Sequence, residues 1–285
     1  MARAAVSGRL TWLVATVKET RDETATARTV TFDVPGWPGH TAGQHVTVKL
    51  TAEDGYSTQR DYSIASAPET GAVEITVQRL EDGEVSPYLT GTAEPGDQLE
   101  LRGPIGGWFA WDPADPRPLL LLAGGSGVVP LMSIIRTHGK VNSQVPVRLI
   151  YSARTPADVI YAAEISERAR VSPLTATFLY TRASRAALAG AATTTPGPGG
   201  AAEHGAAEHG AAEHGAAEHG AASGPRVYAG RLNRGILAET AFLPESNPAT
   251  FICGPTGFVE AASDLLVQAG YAPGTIKTER FGATG

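Results

Sequence analysis

Five short stretches carry residue types whose spacing suits ligand chemistry. In Arg60-Asp61-Tyr62-Ser63-Ile64-Ala65-Ser66, strand alternation places Arg60, Tyr62 and Ile64 on one face, with Asp61 and Ser63 on the other. A guanidinium fork and an aromatic ring two positions apart suit a ligand that joins a phosphate to a flat ring. Gly83-Glu84-Val85-Ser86 leads into a helical candidate at 86–92, with Ser86 as its N-cap. The free amides of a first helical turn attract anions. Arg102-Gly103-Pro104-Ile105-Gly106-Gly107 is a glycine-rich segment that permits close backbone approach to a ligand. Ala123-Gly124-Gly125-Ser126-Gly127-Val128-Val129-Pro130 runs from an apolar segment through a glycine turn into a helix. It would present N–H groups and a helix dipole to a phosphate. Pro130 stands where the standard dinucleotide fingerprint has its third glycine. Phe251-Ile252-Cys253-Gly254-Pro255-Thr256-Gly257-Phe258 is a second strand–turn–helix, with Cys253 at the strand end where ligands of open α/β sheets sit. Taken singly, each stretch also fits a structural role: a strand pair, a turn, a linker or a packed cysteine.

These stretches need elements to hold them. Residues 10–20, 28–34, 45–51, 61–66, 72–80 and 98–102 are short runs rich in Val, Thr, Ile and Tyr. Pro35-Gly36, Pro38-Gly39, Asp54-Gly55, Asp82-Gly83 and Pro95-Gly96-Asp97 punctuate them. The spacing predicts a six-stranded antiparallel β-barrel domain over residues 1–111. Residues 112–118, rich in Asp and Pro, form the linker. From 119 to 285, strand-like runs at 119–123, 147–152, 176–180, 226–229, 249–253 and 275–279 alternate with helical segments at 130–137, 162–170 and 258–269. That alternation predicts an α/β doubly wound domain on a parallel sheet.

Residues 185–225 interrupt this second domain. Ala-Ala-Glu-His-Gly occurs four times there, bringing His204, His209, His214 and His219. On a helix a five-residue step turns each His about 140° from the last, and a glycine in every repeat weakens the helix. The expectation is a low-complexity insertion without a metal site. The chain of 285 residues is 42% hydrophobic and 18% charged, enough to bury a core. A net charge of −6 and no lysine-rich block argue against nucleic acid. One cysteine excludes internal disulfides and any four-cysteine iron–sulfur or zinc site. Residues 118–135 are uncharged and close to membrane-spanning length, but their glycine break fits strand, turn and helix better, so no membrane span is expected. No secretory signal is visible, and a cytoplasmic location is the expectation.

The order of motifs adds to this. Arg60-x-Tyr62-Ser63, Gly83-x-x-Ser86, Gly103-Pro104-x-Gly106, Gly125-x-Gly127-x-x-Pro130, Cys253-Gly254-Pro255 and Glu279-Arg280-Phe281-Gly282 together resemble the ferredoxin–NADP⁺ reductase superfamily. The resemblance implies an FAD-dependent NAD(P)H oxidoreductase, in which hydride passes from nicotinamide to flavin N5. It implies an FAD site of Arg60, Tyr62, Ser63, Ile64, Gln78, Gly83, Val85, Ser86 and Phe281. It implies an NAD(P) site of Gly125, Gly127, Pro130, Ser152, Arg154, Arg182, Cys253, Gly254 and Pro255, with Ser63, Cys253 and Glu279 nearest the chemistry. Arg154 and Arg182 lean the choice toward NADPH over NADH, because an arginine there can pair with a 2′-phosphate. With no iron–sulfur cysteines, electrons would go to a separate acceptor such as a ferredoxin or an oxygenase component. A reductase of free flavin or quinone, or a non-catalytic electron-transfer subunit, are the alternatives.

Overall fold

The computed structural model describes residues 10–68, 72–183 and 225–281. Strands β1 (Trp12–Thr24), β2 (Ala27–Asp33), β3 (His45–Thr51), β4 (Ser57–Ser63), β5 (Val73–Gln78) and β6 (Gln98–Ile105) form one antiparallel sheet in the order β4-β3-β6-β1-β2-β5. Its two edges meet. Ile64, just past β4, bridges Ile75 of β5, and the Ala65 N–H donates to the Glu74 carbonyl at 2.7 Å. Closure puts alternate side chains inside, among them Val46, Val48, Val73, Ile75 and Leu101.

Most strand ends shift by a few residues, and β4 shifts most. It starts at Ser57 because the chain turns tightly before it, with the Ala52 N–H donating to the Tyr56 carbonyl at 2.8 Å. It ends at Ser63 because Ile64 leaves β3 to pair with β5. The helical segment also starts elsewhere than expected. It runs over Val85–Pro87 and continues as a wider π-type turn over Tyr88–Thr92; together these form α1.

The second sheet is parallel throughout, in the order β10-β9-β8-β7-β11-β12. Its elements are β7 (Leu119–Gly124), α2 (Val128–Lys140), β8 (Val147–Ala153), α3 (Ala162–Val171), β9 (Leu174–Tyr180), β10 (Arg226–Ala229), α4 (Arg234–Thr240), β11 (Ala249–Pro255), α5 (Thr256–Gln268) and β12 (Ile276–Phe281). Helix α4 has no counterpart in the sequence reading. It has seven residues, too few for a periodic pattern, and is marked mainly by Asn233, whose side chain caps the Ile236 N–H at 3.0 Å. The uncharged stretch at 118–135 folds as β7, a glycine turn and α2. No described helix is long and apolar enough to cross a membrane. The histidine repeat lies outside the described residues.

The expected boundary at 111/112 falls inside packed structure. Phe109 and Trp111 lie in the cluster that holds Leu119 and Leu121 of β7 and Leu131 of α2. Ala27, Ala42 and Ala65 of the barrel join the same cluster. Phe109 meets Phe251 edge-on at 5.3 Å, and Lys277 Nζ of β12 donates to the Ala110 carbonyl at 2.7 Å.

Candidate active site

Strand order in the parallel sheet reverses between β7 and β11; β7 ends at Gly124 and β11 at Gly254-Pro255. Such a reversal leaves a crevice beyond the strand ends. A Cβ on Gly127 would lie 2.1 Å from the Cys253 carbonyl oxygen, and one on Gly124 would lie 2.7 Å from the Phe258 ring. Gly127 is therefore demanded by backbone packing at the start of α2. Gly125 has φ +55°, and its α-carbon faces the Gln78 amide, whose oxygen is 3.9 Å from a would-be Cβ. The glycine turn of one domain thus faces the end of β5 in the other. Pro130 is buried in the first turn of α2, as expected. Gly254 and Pro255 close β11 in register with Arg280 and Phe281 of β12.

On the barrel side, the Arg60 guanidinium is exposed, with Nη1 donating to the Gln59 carbonyl at 2.7 Å. Tyr62 is partly buried against the barrel core, which pushes its phenol pKa up. Ser63 is half-buried beside Ile64, which is fully buried. Val85 is core. Ser86 differs from its expected role. It is not the N-cap: it sits one residue inside the helix, and its Oγ accepts the Leu80 N–H at 3.1 Å. Glu84 holds the cap position, and its carboxylate accepts the Tyr56 hydroxyl at 3.1 Å instead of capping the helix. Gly83 is tight, with Ser86 Oγ 3.0 Å and the Leu80 carbonyl oxygen 3.2 Å from a would-be Cβ. In the glycine-rich segment after Arg102, Gly103 packs on Val46 and Gly106 (φ +94°) on the His45 ring.

The two halves meet at Glu279. Cys253 and Glu279 are register partners on β11 and β12. His45 and Ser63 are register partners on β3 and β4, so their side chains share one face. His45 Nδ1 lies 3.9 Å from Glu279 Oε1. A pocket of about 190 Å³ opens there, lined by Gly43, His45, Gly106, Trp108, Phe109 and Glu279 among others. Glu279 Oε2 is buried without a hydrogen-bond partner. Burial pushes its pKa up to about 7. Burial also lowers the His45 pKa, against a weaker opposing pull from Asp61. A mostly neutral imidazole therefore faces the carboxyl, at a separation too long for a hydrogen bond. Cys253 is fully buried. Burial and the neighbouring Glu279 charge raise its thiol pKa, so it stays protonated and is a poor nucleophile.

Sequence reasoning missed His45, Gly43 and Trp108. Gly43 has φ +96°, and a Cβ there would lie 2.2 Å from the Phe109 carbonyl oxygen. No local pattern marks His45; its importance comes from pairing with β4 and from a residue near the other end of the chain. Ser152, Arg154 and Arg182 come together at the ends of β8 and β9. The Arg182 N–H donates to the Arg154 carbonyl at 2.9 Å, and both side chains are exposed.

Residues 15–109 match the family model of the oxidoreductase FAD-binding domain, and residues 121–194 match that of the oxidoreductase NAD-binding domain. The chain belongs to the ferredoxin–NADP⁺ reductase superfamily. Within that superfamily it is 32% identical over 249 residues to the glycine betaine monooxygenase reductase subunit of Chromohalobacter salexigens, covering 85% of this chain and 56% of that one. It is 39% identical over 145 residues to the NADH oxidoreductase HCR of Escherichia coli, covering 50% and 44%. A crystal structure of a ferredoxin NADP⁺ reductase from Neisseria gonorrhoeae with bound FAD and NADP has the same fold. Its TM-score is 0.70 at 20% identity, covering 94% of this chain and 98% of that one. The chain spans about half the length of the curated relatives it matches.

Proposed function

We propose that the chain is an FAD-dependent NAD(P)H oxidoreductase that delivers electrons to a separate acceptor, a ferredoxin or an oxygenase component. The observation that carries this is the buried, unpartnered Oε2 of Glu279 at the seam between an FAD-binding and an NAD-binding domain. A buried carboxyl oxygen without a partner fits a donor that the polypeptide does not supply. The glycine-walled pocket beside it fits the edge of a flat ring. Flavin held by these residues would supply the redox chemistry as a hydride acceptor for the nicotinamide. The chain orients and protects. Tyr62 offers its ring, Ser63 a hydroxyl for the reactive edge, and Arg60 with the amides at 84–86 a cradle for phosphates. The glycine turn and Gly254-Pro255 admit the second nucleotide at the strand reversal. The buried Cys253 shapes that floor, and Glu279, with a pKa near neutrality, can hold or release a proton there. Phe281 closes the same side. The monooxygenase reductase among the relatives supports an oxygenase component as acceptor.

Anaerobic titration of the FAD-loaded protein with NADPH and with NADH tests the reading. Bleaching of the flavin absorption is expected, and protein that takes up no FAD would end it. Arg60→Ala should weaken FAD retention about 10- to 100-fold, because a charge-assisted hydrogen bond is worth about 1.5–3 kcal/mol. Equilibrium dialysis measures this. Arg154→Ala should raise the KM for NADPH about tenfold and leave that for NADH in place. Equal effects on both nucleotides would remove Arg154 from 2′-phosphate recognition.

A further inference from the structure

Most ion pairs among the described residues are exposed, but Arg136 of α2 is not. Its side chain is 11% exposed and reaches into the seam between the domains. Nη1 donates to the Ala65 carbonyl at 2.9 Å and to Glu74 Oε1 of β5 at 2.5 Å. Nε and Nη2 donate to the two carboxylate oxygens of Glu164 in α3, at 3.0 and 2.6 Å. The guanidinium also lies 4.9 Å from the centre of the Tyr161 ring. One cation thus joins a carboxylate of the barrel, a carboxylate of the second domain and a main-chain carbonyl.

Neighbouring contacts run along the same seam. Ser133, one turn earlier on α2, donates to the Ser66 carbonyl at 2.7 Å. Tyr161 is fully buried at φ +61°, and its hydroxyl bonds Thr76 of β5. Thr76 in turn bonds Thr29 at 2.7 Å, and the Thr29 hydroxyl donates to Glu23 at 2.7 Å. Each hydroxyl has one proton, so the direction is set: Tyr161 donates to Thr76, Thr76 to Thr29 and Thr29 to Glu23.

The carbonyls gripped by α2 belong to Ala65 and Ser66, directly after Ser63 and Ile64. The same helix starts at the Gly125–Gly127 turn. It is therefore a strut whose N-terminal end carries the nucleotide turn and whose middle holds the exit of the flavin strand. We propose that Arg136 is a positioning residue that fixes the offset between the Ser63–Ile64 strand end and the glycine turn, and hence the approach of nicotinamide to flavin. The inference rests on the function proposed above. Without the guanidinium, Glu74 would lose its link to Glu164, which would stay paired with Arg168 at 2.9 Å within its own helix, and the tie across the seam would loosen. A misplacement of about 1 Å at a reacting centre costs about a hundredfold in rate.

The test uses the full FAD-loaded chain with Arg136→Met and Arg136→Lys. Lysine keeps the charge but cannot reach the carbonyl and both carboxylates with one planar fork. Three readouts apply: FAD content, flavin reduction at saturating NADPH and NADH, and amide hydrogen exchange over residues 63–67. FAD content is expected to stay near the wild-type level, since the phosphate- and ring-holding groups Arg60, Tyr62, Ser63 and the segment at 83–86 lie on the barrel, away from Arg136. The reduction rate should fall about tenfold in the lysine variant and further in the methionine variant. The Kd for the nucleotide should be unchanged, and exchange at 63–67 faster. If the methionine variant does not fold, the lysine variant decides. A folded lysine variant with a wild-type reduction rate, or with unaltered exchange at 63–67, overturns the proposal. The wild-type titration reports separately on the redox function itself.

Discussion

Gly127→Ala should be the most damaging single methyl that can be added to the nucleotide-facing half. The new Cβ would stand 2.1 Å from the Cys253 carbonyl oxygen and 2.7 Å from the Gly254 nitrogen. Both are main-chain atoms held in the β11 ladder, so neither can swing away. Gly127 has φ −61°, a value any residue adopts, so the penalty is wholly steric. Overpacking of this kind costs about 1–3 kcal/mol and sometimes more. The start of α2 must lift from β11, which also moves the turn at Gly125 away from Gln78. Gly125→Ala makes the contrast. Its φ of +55° costs an alanine about 1–2 kcal/mol, but the space around it is open apart from Gln78. Urea midpoints should therefore fall further for Gly127→Ala than for Gly125→Ala, and the affinity for NADPH should fall with them. Equal midpoints would show that α2 and β11 are not in the close contact described.

Glu279→Gln should make the unliganded protein more stable at neutral pH and much less active. Burial raises the Glu279 pKa to about 7, from the ordinary carboxyl value of 4.5. A carboxyl that is harder to ionise when folded costs nothing below about pH 4.5, where both states are protonated. The penalty grows as pH rises toward 7 and is complete above it, because the unfolded chain releases the proton first. Its ceiling is about 3 kcal/mol. Glutamine removes the charge and keeps the shape. The variant should gain stability at pH 8, gain none at pH 4, and lose the slope between 4.5 and 7. With no proton to exchange at the seam, turnover with an acceptor should fall about 10²- to 10³-fold. Denaturant titrations at pH 4 and pH 8, with steady-state assays beside them, check both halves. Unchanged stability at pH 8 would mean that Glu279 is not confined as described.

Legibility in the sequence followed the range of the interaction. β7 could be read because a strand covered on both faces is uniformly apolar from Leu119 to Ala123. β5 could be read because Val73, Ile75 and Val77 alternate with polar residues. β3 was read to the residue, His45–Thr51. β4 was displaced because Ser57-Thr58-Gln59-Arg60 has no apolar rhythm, and its place is set by pairing with β3. Ser86 looked like a cap by residue type, but its hydroxyl is committed to Leu80 by the way the preceding loop closes. Within the candidate site, Arg60, Tyr62, Ser63, Cys253 and Glu279 stand out in the sequence as motif positions. His45 and Arg136 do not, because each acquires its setting from the far side of the domain seam.

The aromatic pair Phe109 and Trp111 has a consequence for how the molecule can be divided. Both belong by chain position to the barrel, yet they sit among the aliphatics of β7 and α2. Excising either half would leave a greasy scar of bare indole and phenyl on one fragment and an unfilled socket on the other. A calorimetric scan of the whole chain should therefore show one unfolding transition, not two.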